Sequence, residues 1–270
     1  MIREPAVAGQ FYSGLEKALR NDIKDYVDMS QEKTDAIGAL SPHAGYACSG
    51  LVAGKVLSAI KPRSTYIIMG PNHTGLGFPF SVTACDSWKT PLGEVKIDTS
   101  LVSALKKSTD LITESEDAHQ FEHSIEVQLP FLQFMHKGSF KFVPIVISQS
   151  DLSTYKKLGN SLASTIKELK LEKDITIIAS SDMTHYEPQE DANKKDGAAI
   201  KAMLNMNEDE LFRVIEKFDI SMCGYAPAII MLVAAKALGA RKAHLVKYLT
   251  SGDTCGDYSS VVGYAGMIFL

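Results

Sequence analysis

Residues 175–186 read ITIIASSDMTHY. A short run rich in β-branched apolar side chains stops abruptly and gives way to serine, aspartate and histidine. A run of that length and composition reads as a strand buried on both faces, as in a parallel sheet covered by helices. The same event occurs at 37–46, IGALSPHAGY, where an apolar run ends just before His43. It occurs again at 67–75, IIMGPNHTG, where His73 follows Gly70 and Pro71. In open α/β sheets, ligands bind outside the carboxyl ends of the strands. Three buried strands that each end in a histidine-bearing loop therefore suggest one shared site.

Apolar, β-branched runs predict strands near 36–41, 65–70, 80–84, 141–147, 174–180, 244–250 and 260–269. Helical periodicity lies between most of them, at 50–60, 101–108, 122–135, 151–169, 225–238 and twice within 190–217. Asp151 is placed to cap the helix that follows it. Alternation of this kind predicts an α/β fold with a largely parallel central sheet and helices on both faces. With no repeat, low-complexity tract or linker, residues 1–270 read as a single domain.

The chain has 270 residues, 45% of them apolar and 22% charged, which is ordinary for a globular protein. Its formal net charge is −4 and it has no long basic run, so no nucleic-acid partner is expected. The longest apolar stretch, 225–240, is shorter than the roughly 18 residues of a membrane span and reads as a buried helix. Without an apolar leader the expected location is cytoplasmic. None of Cys48, Cys85, Cys223 and Cys255 forms a C-x-x-C pair, so any cysteine that matters acts singly.

His43 and His73 are candidate metal ligands, since neutral imidazole suits iron, copper and zinc. Each could equally cap its own turn. Asp182 and His185, three apart past a strand, could ligate a metal or act as an acid–base residue and its orienting carboxylate. Residues 117–131, DAHQFEHSIEVQLPF, carry His119, Glu122, His123 and Glu126 without the H-E-x-x-H order of zincins. Glu122 and His123 suit a supporting role behind the ligands, while His119 and Glu126 fit a solvated helix face. Cys223, in SMCGYAP (221–227), lies just ahead of a predicted helix, where a thiol pKa is lowered and a thiolate ligand forms readily. Residues 249–260, LTSGDTCGDYSS, read as a polar loop whose Asp253, Cys255 and Asp257 could line a pocket. His136 and His244 have no evident partner.

Taken together, REPAVAGQFY, SPHAGYACSG, IIMGPNHTG, EHSIEVQLPFL, SSDMTHY and MCGYAP resemble the Memo family, named for an animal mediator of cell motility. These motifs span nearly the whole chain in family order. The resemblance implies a fold similar to the class III extradiol dioxygenases, which use non-haem Fe(II). It implies metal-site positions at His43, His73 and Cys223, with Asp182 and His185 beside them in the pocket. It also implies a setting shared with AMMECR-type and radical S-adenosylmethionine proteins. A thiolate stands where those dioxygenases have a carboxylate, which argues against ring cleavage.

Three functions follow as expectations. The first is a metal-dependent oxidoreductase using Fe(II), or copper, on a small molecule or peptide, with His185 as acid or base and Asp182 orienting it. The second is a hydrolase in which zinc activates water. The third is a non-catalytic signalling module that binds a metal or a peptide.

Overall fold

The structure is a computed structural model and describes residues 1–136 and 138–270. Its elements run in chain order as follows. A short β1 (Ile2–Arg3) precedes α1 (Glu16–Tyr26), β2 (Gly38–Ser41), α2 (Tyr46–Ala59) and β3 (Thr65–Pro71). Next come β4 (Phe80–Val82), the hairpin β5 (Ser87–Thr90) and β6 (Gly93–Ile97), α3 (Thr99–Ser108) and β7 (Thr113–Glu114). Helix α4 (Asp117–Gln120), a 3-10 turn at Glu126–Gln128 and α5 (Leu129–Met135) lead to β8 (Lys141–Ile147) and α6 (Leu152–Glu168). The chain continues through β9 (Ile175–Ser180), β10 (His185–Glu187), α7 (Gln189–Leu204), α8 (Glu208–Phe218) and α9 (Tyr225–Ala237). It closes with β11 (Ala243–Thr250), α10 (Ser251–Cys255) and β12 (Val261–Phe269).

The centre of the sheet is parallel, in the order β6-β8-β3-β9-β2. Every residue of β2, β3 and β9 is buried, as the uninterrupted apolar runs predict. Beyond β2 the margin is antiparallel, with β12 running against β2 and both β11 and β10 against β12; beyond β6 it is mixed, with β5 antiparallel to β6 and β1 parallel to β5. The parallel reading therefore holds for the core and gives way at the edges. Helices α1, α2 and α5 pack together on one side of the sheet, and α6, α9, α3 and α8 on the other. No helix among the described residues is long and apolar enough to cross a membrane.

The expected helix over 122–135 is broken. Residues 121–125 belong to no helix between α4 and the 3-10 turn, and Pro130 sits in the first turn of α5. Both carboxylate oxygens of Glu122 are engaged by backbone N–H groups, of His73 and of Ser124, which fixes the chain in a non-helical path. The polar 249–260 segment contains α10, closed by a capping box at Thr250 and Asp253 and ended by left-handed Gly256.

This topology positions the site. Strands β3, β9 and β2 are consecutive neighbours and parallel, so their carboxyl ends share one edge. Ser41 pairs with Ser180 and Met69 with Ala179, which sets the loops after them side by side.

Candidate metal centre

His43, His73 and Cys223 present ligand atoms that all lie within 4.8 Å of one another. His43 comes from the loop after β2, His73 from the loop after β3, and Cys223 from the segment entering α9. Gly224 allows that last approach, because a side chain there would overlap the Ser180 carbonyl and the Ser181 side chain. The His43 and His73 rings are nearly perpendicular, with centroids 5.2 Å apart.

The hydrogen bonds behind these residues decide which nitrogens are free. Ser180 Oγ donates to the Ser124 carbonyl at 2.6 Å. It accepts from Gln128 Nε2 at 2.8 Å. With its proton committed, it can only accept from His43 Nδ1, 3.0 Å away. His43 therefore carries its proton on Nδ1, and Nε2 presents a lone pair toward Cys223 Sγ at 3.2 Å. Gln128 is itself saturated, since it also donates to the Pro42 carbonyl and accepts from Ser41 Oγ. On the other side Glu122 Oε1 accepts from His73 Nδ1 at 2.9 Å, which again leaves Nε2 free. A carboxylate or carbonyl behind a ligating histidine is the usual support of a metal site.

Burial and neighbouring imidazoles hold His43 well below the ordinary histidine pKa. Burial also opposes charge on His73, but the Glu122 hydrogen bond and carboxylate outweigh it, and its pKa is raised. Glu122 is buried, yet the His73 hydrogen bond and charge and the Ser124 N–H bring its pKa down to about 2. His123 stacks on His73 at 4.6 Å with its ring tilted 17°, and burial lowers its pKa. Glu122 and His123 thus lie directly behind and beside His73.

Two expectations are corrected. Burial, reinforced by the Asp182 carboxylate, raises the Cys223 thiol pKa, so its place ahead of α9 does not make it a thiolate in the metal-free protein. Desolvation outweighs the helix terminus. Asp182 does not orient His185. Its Oδ1 accepts from the backbone N–H of His43 at 2.8 Å and of Ala44 at 3.3 Å, which pins the His43 loop. Burial pushes Asp182 up to about 6 against those bonds. His185 is held instead by Ser221, whose carbonyl lies 3.0 Å from Nδ1 and whose hydroxyl accepts the His185 backbone N–H. Its Nε2 is left outside that bond.

His119 and Glu126 are buried rather than solvated. Glu126 pairs with buried Arg3 at 2.7 Å and accepts from Tyr12 Oη and the Ala6 and Val7 N–H groups. His119 bonds the Ser81 carbonyl, away from the ligand cluster. His136 has a partner in Tyr66 Oη, and His244 is exposed on β11. Ser180, Gln128 and Ser221 were not singled out from the sequence. The available signal was a polar side chain set among apolar ones at Gln128, in EVQLPF.

The family model described as "Memo-like protein" matches residues 3–268. A MEMO1 family protein of Methanocaldococcus jannaschii is 46% identical, over 99% of this chain and 98% of its own. One of Aquifex aeolicus is 44% identical, over 100% and 99% respectively. One of Methanopyrus kandleri is 41% identical, over 100% and 99%. In fold alone, the chain is similar to the crystal structure of an uncharacterized protein from Escherichia coli K12. That match has a TM-score of 0.58 and 14% identity, covering 86% of this chain and 98% of the other.

Proposed function

The chain belongs to the Memo-like protein family, and from that membership and the geometry of its cleft we propose a mononuclear metal centre held by His43, His73 and Cys223, serving a metal-dependent oxidoreductase. The observation that carries this reading is that both imidazoles are held from behind through Nδ1. Ser180 and Glu122 engage the two Nδ1 atoms, which leaves Nε2 of each neutral ring as the donor, and His43, His73 and Cys223 bring one ligand atom each to within 4.8 Å of the others. Two imidazoles and one thiol form a borderline-to-soft donor set, suited to Fe(II), copper or zinc more than to magnesium or calcium.

A bound iron or copper ion would supply one-electron chemistry. The chain's own residues would do the rest. Glu122 orients His73, Asp182 pins the His43 loop, and Ser221 directs His185 so that Nε2 can exchange a proton with a ligand in the cleft. The substrate reading is a small molecule or a peptide.

Zinc hydrolysis is the second reading, because three protein ligands with a position left for water is also the pattern of catalytic zinc. Anaerobic purification with elemental analysis separates the two. Stoichiometric iron or copper, lost in His43→Ala and Cys223→Ser, supports the oxidoreductase. Stoichiometric zinc alone supports the hydrolase, and no metal in the wild-type protein overturns both.

A further inference from the structure

Among the described residues, four that are not glycine have positive φ: Lys170, Tyr186, Met206 and Asp219. Three of them directly follow or cap the carboxyl ends of α6, α7 and α8, where a left-handed residue routinely ends a helix. Tyr186 is different. It lies inside β10 with φ 59°, between His185 and Glu187. His185 pairs with Val262 and Glu187 with Val261, so Tyr186 is the extra residue of a β-bulge. Bulges occur beside functional sites, where they re-aim a side chain. A left-handed aromatic residue costs stability that glycine at the same place would not.

Nothing in the packing offsets that cost. The Tyr186 side chain is not in the core, and the residue is 78% exposed. Its ring meets His185 with centroids 5.7 Å apart and planes at 67°. His185 is in turn bonded, through its backbone N–H and Nδ1, to Ser221, two residues ahead of Cys223. The strain is therefore stored next to the proposed metal centre and spent on presenting one ring.

We propose that Tyr186 is a specificity-determining residue, whose ring stacks on the flat face of an aromatic or conjugated group in a ligand held at the His43, His73 and Cys223 centre; the inference rests on the metal reading above. The open corner made by Tyr186 and His185 offers one face and one edge, which suits a flat group. A cationic ligand fits less well. The nearby carboxylates are already engaged: Asp182 by two backbone N–H groups and His43, Glu122 by His73 and Ser124, and Glu187 by Lys195.

The test uses the zinc-loaded protein and two chelators with the same metal-binding group, benzohydroxamate and acetohydroxamate. Zinc affinity is measured first, in wild type, Tyr186→Gly and Tyr186→Phe. The expected result is equal zinc affinity in all three. The preference for the aromatic chelator should fall by about 2- to 10-fold in Tyr186→Gly and be kept in Tyr186→Phe. The melting temperature of Tyr186→Gly should rise, because the strain is relieved. Failure of the wild-type protein to take up zinc, Fe(II) or Cu(I) in parallel titrations overturns the metal reading and this proposal with it, and where iron or copper alone binds, that ion replaces zinc in the chelator comparison. Zinc uptake without benzohydroxamate binding, or with an unchanged preference in Tyr186→Gly, overturns the proposal alone. So does a fall in the melting temperature of Tyr186→Gly, which would make the ring a packing element.

Discussion

Glu122 holds His73 at two points: Oε2 accepts its backbone N–H at 2.7 Å and Oε1 lies 2.9 Å from its Nδ1. One buried carboxylate thus fixes both the path of the loop and the tautomer of the ring. Glu122→Gln keeps the shape but removes the charge, and an amide can donate to Nδ1 and turn the lone pair the wrong way. Metal affinity should fall by about 10- to 100-fold, as for other groups behind a ligand. A competition titration with a chromophoric chelator measures it, and an affinity within two-fold of wild type (a limit of about 0.4 kcal/mol) would remove Glu122 from the site.

His185 and His43 should separate cleanly. His43→Ala removes a donor atom and should abolish stoichiometric metal binding. His185→Ala removes a ring tied to Ser221 and outside the three-residue cluster, so it should keep most of the affinity. Any turnover should drop by about 100-fold or more if Nε2 moves a proton. Calorimetric titration of the two variants compares them, and equal loss of binding would make His185 a ligand.

The thiols should react in an order opposite to the one suggested by helix proximity. Burial raises the Cys48, Cys85 and Cys223 pKa values, Cys85 to about 11. Cys255 is exposed. In metal-free protein near neutral pH, iodoacetamide should modify Cys255 first and Cys223 slowly. Peptide mapping by mass spectrometry reads the order. Fast labelling of Cys223 would mean that its thiolate forms without metal.

Arg3 and Glu126 form a fully buried ion pair, with three further donors on the carboxylate. Arg3→Met leaves a charged carboxylate without its partner and should cost about 3–5 kcal/mol in urea unfolding. Replacing both residues with apolar ones should not restore stability, because the Ala6 and Val7 N–H groups and the Tyr12 hydroxyl would be left unpaired. A double variant as stable as wild type would contradict this.

His119 predicts a pH effect. Its pKa falls to about 4, chiefly through burial, with the Arg3 charge also lowering it against the Glu116 carboxylate. Its Nδ1 has no partner. The unfolded chain takes up the proton near pH 6.5 and the folded chain does not. Stability is therefore complete above pH 6.5 and is lost as pH falls toward 4, by up to about 3 kcal/mol from this residue. Unfolding curves for wild type and His119→Gln across that range should converge as the pH falls. Parallel curves would remove His119 as the cause.

The sequence made the parallel core legible because β2, β3 and β9 are buried on both faces and leave an uninterrupted apolar signal. It also placed His43 and His73 as candidates, since loops at one sheet edge converge whatever lies between them in the chain, whereas Cys223 rested on its place ahead of a helix and on the family resemblance. It did not reveal the 121–125 break, because Glu122 leaves the helix through bonds to His73, 49 positions away. For the same reason the role of Ser180 was hidden: its three partners come from two distant segments, the His43 loop and the stretch from Ser124 to Gln128. The misreading of Glu126 has a related origin, as helical spacing cannot show that Arg3 waits in the core.

The carboxylate behind His73 also bears on which ion suits the cleft. Glu122 is buried and ionised, with its pKa at about 2. A divalent ion with the Cys223 thiolate and Glu122 sums to zero, whereas a monovalent ion leaves one uncompensated negative charge. If Asp182 ionises beside the metal, each total becomes more negative by one, and the divalent ion keeps its advantage. In a poorly solvated place, departure from electroneutrality is costly. In the proposed centre the donor atoms alone would welcome Cu(I), but the charge around them would favour a divalent ion.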